Sequence, residues 1–258
     1  METYKLYGGK IILQYDDAKH IYKVNDKIVY GVTNIVSVLS KPALIYWAVN
    51  QAIDYIDLNL EVGKSIDELQ KKQLLEEARV AHKKTTNHSA DAGTLIHEWI
   101  EKYVKAKIEK KPVPKRPVSK EMKSAVDGFF KWAKEHKVKL IKSEQKIYSR
   151  KYKYAGTLDL EAEVDGKKTI IDFKTGKAIY PEMFLQAAAY LQAKEEENGR
   201  YDGGVAIVRL SQKQKDITPF EVKSVSRQNV DKLIKVFLSC LNIYRWKMEL
   251  KKEAILNK

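Results

Sequence analysis

The sequence predicts an α/β fold whose core runs in the order αβββαβ, with a mixed central sheet, an N-terminal β-meander and a helical block. Three observations carry this. A helical run after Ser119, EMKSAVDGFFKWAKEH, leads into three consecutive β-prone runs, KLIKSEQKIYS, YAGTLDLEAEV and KKTIIDFK. Asp165-Gly166 between the last two is the strongest short hairpin signal. Pro181 then opens the helix EMFLQAAAYLQAKEEE, followed by GGVAIVRL and TPFEVKSV as strands and a long helix from Arg227. Strands grouped in this way, rather than alternating with helices, exclude a Rossmann arrangement.

The earlier elements follow from local signals. KIILQY, HIYKV and KIVY are β-prone runs separated by DDAK and ND turns, a small meander. From Thr33, expected to cap VTNIVSVLS, the period becomes helical. Pro42 takes a first-turn position before ALIYWAVNQAIDYI. Ser65 and Glu68 form a capping-box pattern before LQKKQLLEEARVAH. KKTTNHSAD reads as a polar break, after which AGTLIHEWIEKYVKAKI is a separate helix. The segment 105–123 holds eight Lys and Arg against Glu109 and Glu121, a local charge of +6. Pro112, Pro114 and Pro117 keep it extended. It is either a solvated linker or a phosphate-contacting edge through Lys115 and Arg116. The expected division is 1–118 for the meander and helical block, packed on the functional site, and 119–258 for the core, in one compact domain overall.

Composition narrows the function. The 258 residues include 48 Lys and Arg against 34 Asp and Glu, a formal charge of +14. Such a surplus favours a polyanionic partner, with nucleic acid first. A single cysteine, Cys240, excludes a disulfide framework, a Cys-rich zinc site and a cysteine-ligated iron–sulfur cluster. No apolar run approaches the roughly 20 residues that span a bilayer. METYKLYGGK has neither a signal-peptide core nor a transit helix, so the expected location is intracellular and cytoplasmic, in a microbial or phage-infected cell.

The most informative stretch is GTLDLEAEVDGKKTIIDFKTG, residues 156–176. A two-residue loop at Asp165-Gly166 sets Asp159 directly opposite Asp172, on one face, with Cβ atoms about 5 Å apart. Lys174 points the same way. Leu158, Leu160, Ala162 and Val164, opposite Thr169, Ile171 and Phe173, form the apolar face. Facing carboxylates repel, and a divalent cation such as Mg²⁺ or Mn²⁺ removes the conflict. On the hairpin alone, ordinary charges on a solvated strand face are an equal alternative.

The combination G-x-x-D at Gly156–Asp159, D-x-K at Asp172–Lys174 and Q-x-x-x-Y at Gln186–Tyr190 resembles the PD-(D/E)xK nuclease superfamily, and within it the RecB-like exonuclease branch. Its restriction-endonuclease-like core has the αβββαβ order read above. Gly93, His97 and Glu101, on one helix face, match that branch's Gly-x-x-x-His-x-x-x-Glu pattern. The preceding helices are similar to those of the mitochondrial genome maintenance exonuclease and phage relatives. The iron–sulfur nucleases of this superfamily need cysteines that this chain lacks.

The resemblance implies a Mg²⁺- or Mn²⁺-dependent deoxyribonuclease acting on single-stranded or frayed DNA ends. It implies Asp159, Asp172 and Lys174 as catalytic residues. Metal ligands would be Asp159, Asp172, the Phe173 carbonyl and His97, with Glu144 lining the site. Gln186 and Tyr190 would orient the site or touch the phosphate backbone, besides packing helix on sheet. Read without the resemblance, His97 is a core histidine or a polar residue at a rim, and Glu144 a surface charge on an edge strand. Trp47 is read either as a base-stacking residue or as core. Trp99, Trp132 and Trp246 are read as core, and His20, His82, His88 and His136 as surface or loop. A structure-specific endonuclease on the same core and a non-catalytic nucleic-acid-binding protein are the alternatives.

Overall fold

The computed structural model describes residues 1–39, 42–61, 63–213 and 218–256, with side chains outside 42–43, 85–90 and 255–256. The chain divides into two compact units, residues 1–39 with 95–258, and residues 40–94.

The smaller unit holds α2 (Pro42–Asn59) and the first part of α3 (Glu68–Ile108). The Tyr55 hydroxyl donates to Glu77, and the Lys84 ammonium lies 5.8 Å from the Tyr55 ring centroid. α3 is continuous over 41 residues, so the expected break at KKTTNHSAD is absent. That segment is polar but contains no Gly or Pro, and polarity interrupts an apolar stripe without breaking backbone hydrogen bonds. The His88 side chain lies outside the described residues. The cap also differs. Asp67 Oδ1 accepts from Gln70 N at 2.7 Å, and Gln70 Oε1 accepts from Asp67 N at 3.0 Å. The capping box is therefore Asp67–Gln70 rather than Ser65–Glu68, since an aspartate two residues nearer the helix outcompetes the serine.

In the larger unit, nine strands among the described residues form one mixed sheet. The meander is β1 (Glu2–Leu6), β2 (Ile11–Asp16), β3 (Ile21–Val24) and β4 (Lys27–Gly31). β1 was not expected, because no turn signal precedes it. Asn25 and Asp26 both have positive φ, the tight hairpin that the ND dipeptide predicts. α1 (Val32–Val36) begins after Gly31, which places Thr33 inside the helix and not at its cap.

The core is α4 (Lys120–Glu135), β5 (Lys139–Ser149), β6 (Tyr154–Val164), β7 (Lys167–Lys174), α5 (Pro181–Asn198) and β8 (Gly204–Leu210), the predicted αβββαβ order. β9 (Phe220–Val225) and α6 (Arg227–Leu256) follow. The sheet order is β1-β2-β3-β4-β6-β7-β8-β9, with β5 on the other edge of β6. β7 and β8 are parallel and joined through α5.

Three clusters build the interior. Ile96, Trp99, Ile100 and Val104 of α3 and Phe129 and Trp132 of α4 cover one face of β6–β8. α1, α5 and α6 cover the other, through Ile35, Leu191 and Phe237 among others. The meander packs Leu13, Tyr15 and Tyr22 against Tyr148 and Ala155. Trp246 differs from expectation: it is 58% exposed. Val230, Ile234, Phe237 and Leu241 make the inward stripe of α6, and Trp246 falls on the opposite face. No helix among the described residues is long and apolar enough to cross a membrane.

Candidate active site

The site begins as a fork in the sheet. On one edge of β6, β4 pairs in parallel with Tyr154 and Ala155, and β7 pairs antiparallel with Leu160 to Val164. Among the described residues, the intervening Gly156-Thr157-Leu158-Asp159 has no partner strand on that edge. The carboxyl ends of β4 and β7 meet at this gap, and α/β sheets place ligand crevices at the carboxyl ends of their strands.

The hairpin sets the register. Asp165 and Gly166 have φ of 48° and 82°, the conformation of a two-residue type I′ turn. From Val164↔Lys167 to Leu160↔Ile171 the pairing follows the predicted alignment, and Asp159 and Asp172 stand at the next step. There the ladder ends, and Asp159 Oδ2 accepts a hydrogen bond from Phe173 N at 2.7 Å.

Alternation also breaks at this point. Leu160 joins the cluster beneath α4, but Leu158 joins the one beneath α5, which corrects the expectation that both share a face. Opposite Asp159, between Ser143↔Leu160 and Gln145↔Leu158, Glu144 has a left-handed φ of 50°. A non-glycine residue held there costs on the order of 1 kcal/mol or more, and such strain concentrates at functional sites.

The electrostatics are those of crowded acids. Asp172 is 1% exposed, and neither of its oxygens has an aligned hydrogen bond among the described residues. Lys174 Nζ is 2.5 Å from Asp172 Oδ2, an ion pair by distance but not an aligned hydrogen bond. Burial pushes the Asp172 pKa up to about 6; the Asp159 charge adds to this, while Lys174 and His97 oppose it. Burial alone would lower the Lys174 pKa, but Asp172 and Asp159 outweigh it and hold the ammonium charged. His97 Nδ1 lies 3.6 Å from Asp159 Oδ2, and its ring meets Phe173 edge-on. Glu144 is pushed up to about 8, first by burial and then by the charges of Asp159 and Glu101.

The structure therefore brings His97, Glu144, Asp159, Asp172 and Lys174 together. Gln186 and Tyr190 join them from α5. Gln186 Nε2 donates to the Tyr190 hydroxyl at 2.6 Å. A Cβ at residue 156 would stand 2.7 Å from Tyr190 Cε1 and 3.2 Å from Val32 Cγ2, so only glycine lets this tyrosine reach the strand. Lys115 and Arg116 make their contacts with α3 and α4. The Lys115 carbonyl accepts from Trp99 Nε1 at 2.9 Å. Arg116 pairs with Asp127 and stacks 4.5 Å from the Phe130 ring centroid, so the extended connector is tied down. Trp47 is half-buried and belongs to the 40–94 unit.

Sequence reasoning missed the meander's part in this crevice. Tyr22 Oη and Thr157 Oγ1 are 2.8 Å apart, and Lys146 Nζ lies 4.5 Å from the Tyr15 ring centroid. Glu101 appeared only as part of a helix pattern, yet its charge reaches Glu144. The meander contacts join residues more than a hundred positions apart, Glu101 and Glu144 lie on different elements, and no local pattern announces any of them.

The donors fit a divalent cation. A buried carboxylate with no aligned hydrogen bond, beside a second carboxylate and an imidazole, is a hard oxygen and nitrogen set suited to Mg²⁺ or Mn²⁺. Among the described residues no three such side chains already form a cage. The Lys174 ammonium and the Phe173 N–H now occupy the positive side of the pair.

A family model described as the PD-(D/E)XK nuclease superfamily matches residues 69–253. No curated protein matches. Sixteen solved chains match. One of them, titled "Crystal structure of SSO0001", is 12% identical over 76% of this chain and 86% of its own, with a TM-score of 0.28. The family match runs from the first turn of α3 into α6 and takes in every acid of the crevice, and the chain belongs to the PD-(D/E)XK nuclease superfamily, whose members are metal-dependent nucleases.

Proposed function

We propose that this chain is a Mg²⁺- or Mn²⁺-dependent deoxyribonuclease of the RecB-like branch that degrades DNA from a free end and prefers single-stranded or frayed DNA. The observation that carries the hydrolytic reading is Asp172, a fully buried carboxylate without an aligned hydrogen bond beside Asp159 and Lys174. The exonuclease reading rests on the Gly93–His97–Glu101 and Gln186–Tyr190 patterns.

Asp159, Asp172, His97 and the Phe173 carbonyl would hold the cation, with Glu144 alongside. A divalent ion held there supplies Lewis-acid polarisation of the phosphoryl oxygen and a water acidic enough to attack near neutral pH. Lys174, beside Asp172, is placed to attract the phosphate and stabilise charge developing on it. Glu144, pushed up by burial and by the charges of Asp159 and Glu101, lines the crevice as a further acid. Gln186 holds Tyr190 against Gly156 and so fixes the strand that carries Asp159. The surplus of 14 positive charges supplies affinity for any sequence and makes it salt-sensitive.

The test is digestion of linear and circular single-stranded DNA of one sequence with Mg²⁺. Loss of the linear strand alone supports the proposal. Equal loss of both overturns the need for an end and leaves an endonuclease. Survival of both overturns the deoxyribonuclease reading.

A further inference from the structure

One lysine of the crevice has no part in the chemistry above. Lys146 lies two residues beyond Glu144 on β5 and pairs across the sheet with Thr157 of the Gly156–Asp159 segment. Two acid-x-lysine triplets therefore flank Asp159 from its two neighbouring strands: Asp172-x-Lys174 on β7 and Glu144-x-Lys146 on β5.

The two lysines are held differently. Lys174 lies against a carboxylate oxygen. Lys146 rests on rings: its Nζ is 4.5 Å from the Tyr15 centroid and 5.8 Å from the Tyr4 centroid. An aromatic face attracts an ammonium by roughly 0.5–2 kcal/mol but takes none of its three donors in the way a carboxylate would. The seat is braced. Tyr15 stacks on Tyr22 with centroids 4.7 Å apart, the Tyr15 hydroxyl is 2.8 Å from His20 Nδ1, and Tyr22 Oη is 2.8 Å from Thr157 Oγ1. Lys146 is half-buried. A cation held by rings, with donors to spare, beside a crevice that takes a phosphodiester, suits a second phosphate.

We propose that Lys146, seated on Tyr4 and Tyr15, is a second phosphate-binding position of the crevice, taking the backbone phosphate next to the scissile one. This rests on the nuclease reading. It gives the N-terminal meander a role in substrate binding beyond extending the sheet. Burial lowers the Lys146 pKa, and the carboxylates whose fields oppose this are Glu144, Glu101, Asp17 and Glu2. Binding is therefore measured with Ca²⁺ present, which neutralises crevice acids while its loose coordination geometry disfavours turnover.

The experiment is fluorescence anisotropy of a labelled oligothymidylate with the full chain in Ca²⁺, between 50 and 200 mM salt. Each phosphate contact on a single strand contributes about 0.7 to the slope of log affinity against log salt. Lys146→Met and Lys146→Gln should each lower that slope by about 0.7, and Lys146→Arg should retain it. Two neutral variants guard against a folding defect in one, and circular dichroism shows which are native. A folded neutral variant with the wild-type slope would overturn the inference while leaving the nuclease reading intact. A wild type that neither binds nor cleaves DNA would instead remove the reading on which the inference stands.

Discussion

Asp172 makes the metal-free protein less stable as pH rises. Its pKa moves from 3.8 in the unfolded chain to about 6 in the folded one, chiefly by burial. The folded state then binds more protons than the unfolded state between these values, and stability falls through that window. A shift of about two units corresponds to roughly 3 kcal/mol, of which about half is lost between pH 5 and pH 8. Asp172→Asn carries no titrating group and escapes this loss. At roughly 2–4 °C per kcal/mol for a chain of this size, the Tm difference between variant and wild type should move in the variant's favour by about 3–6 °C from pH 5 to pH 8. The assay is thermal unfolding by circular dichroism in EDTA at both pH values. Loss of the partner of Lys174 changes the absolute offset, so the pH dependence of the difference is the quantity to read. Parallel pH profiles for the two proteins would refute the claim that burial holds this carboxyl out of its ordinary range.

Two further outcomes follow from the same geometry. His97→Ala should weaken Mg²⁺ affinity in calorimetry and be partly rescued by Mn²⁺, which binds nitrogen and oxygen sites more tightly; unchanged metal dependence would leave His97 as a packing residue. Glu161 is 2% exposed and accepts hydrogen bonds from Gln145 at 2.9 Å and Tyr201 at 2.8 Å, with Lys168 at 2.8 Å and Lys194 at 3.4 Å as ion partners. Burial pushes its pKa up, but these partners outweigh it and hold it at about 2. Its stabilisation is therefore present above about pH 4.5 and lost as pH falls toward 2. Glu161→Gln should cost roughly 3 kcal/mol at pH 7, because buried Lys194 loses its carboxylate and keeps only its bond to Gln145 Oε1 at 2.8 Å, and about half as much near pH 3, as read from urea unfolding; an equal cost at both would contradict the assignment.

How much of this was legible depends on the range of the forces involved. Asp165-Gly166 fixed the hairpin because both residues tolerate positive φ, and a two-residue turn leaves one register. The facing positions of Asp159 and Asp172 followed from that alone. The order of the core elements was equally local, since each strand run and Pro181 announces itself. The break in alternation was not legible. Leu158 and Leu160 look alike in sequence, and they part where Glu144 on the neighbouring strand takes a left-handed φ and α5 and α4 claim opposite faces. The continuity of α3 was missed because a polar stretch without Gly or Pro resembles a loop in composition only. Trp246 was misread because amphipathicity gives a helix two faces and an aromatic residue does not say which it occupies. Lys146 carried no signal, because its partners Tyr4 and Tyr15 arrive from the far end of the chain.

The claim that Asp172 anchors a metal-dependent hydrolytic site is tested most directly by one cleavage assay. End-labelled single-stranded DNA is incubated with wild type and Asp172→Asn, each with Mg²⁺ and with EDTA, and the products are resolved on a denaturing gel. Wild type should cleave with Mg²⁺ and not with EDTA, and folded Asp172→Asn should bind the same DNA without cleaving it in either. Cleavage by the variant at the wild-type rate, or by wild type in EDTA, would contradict the account.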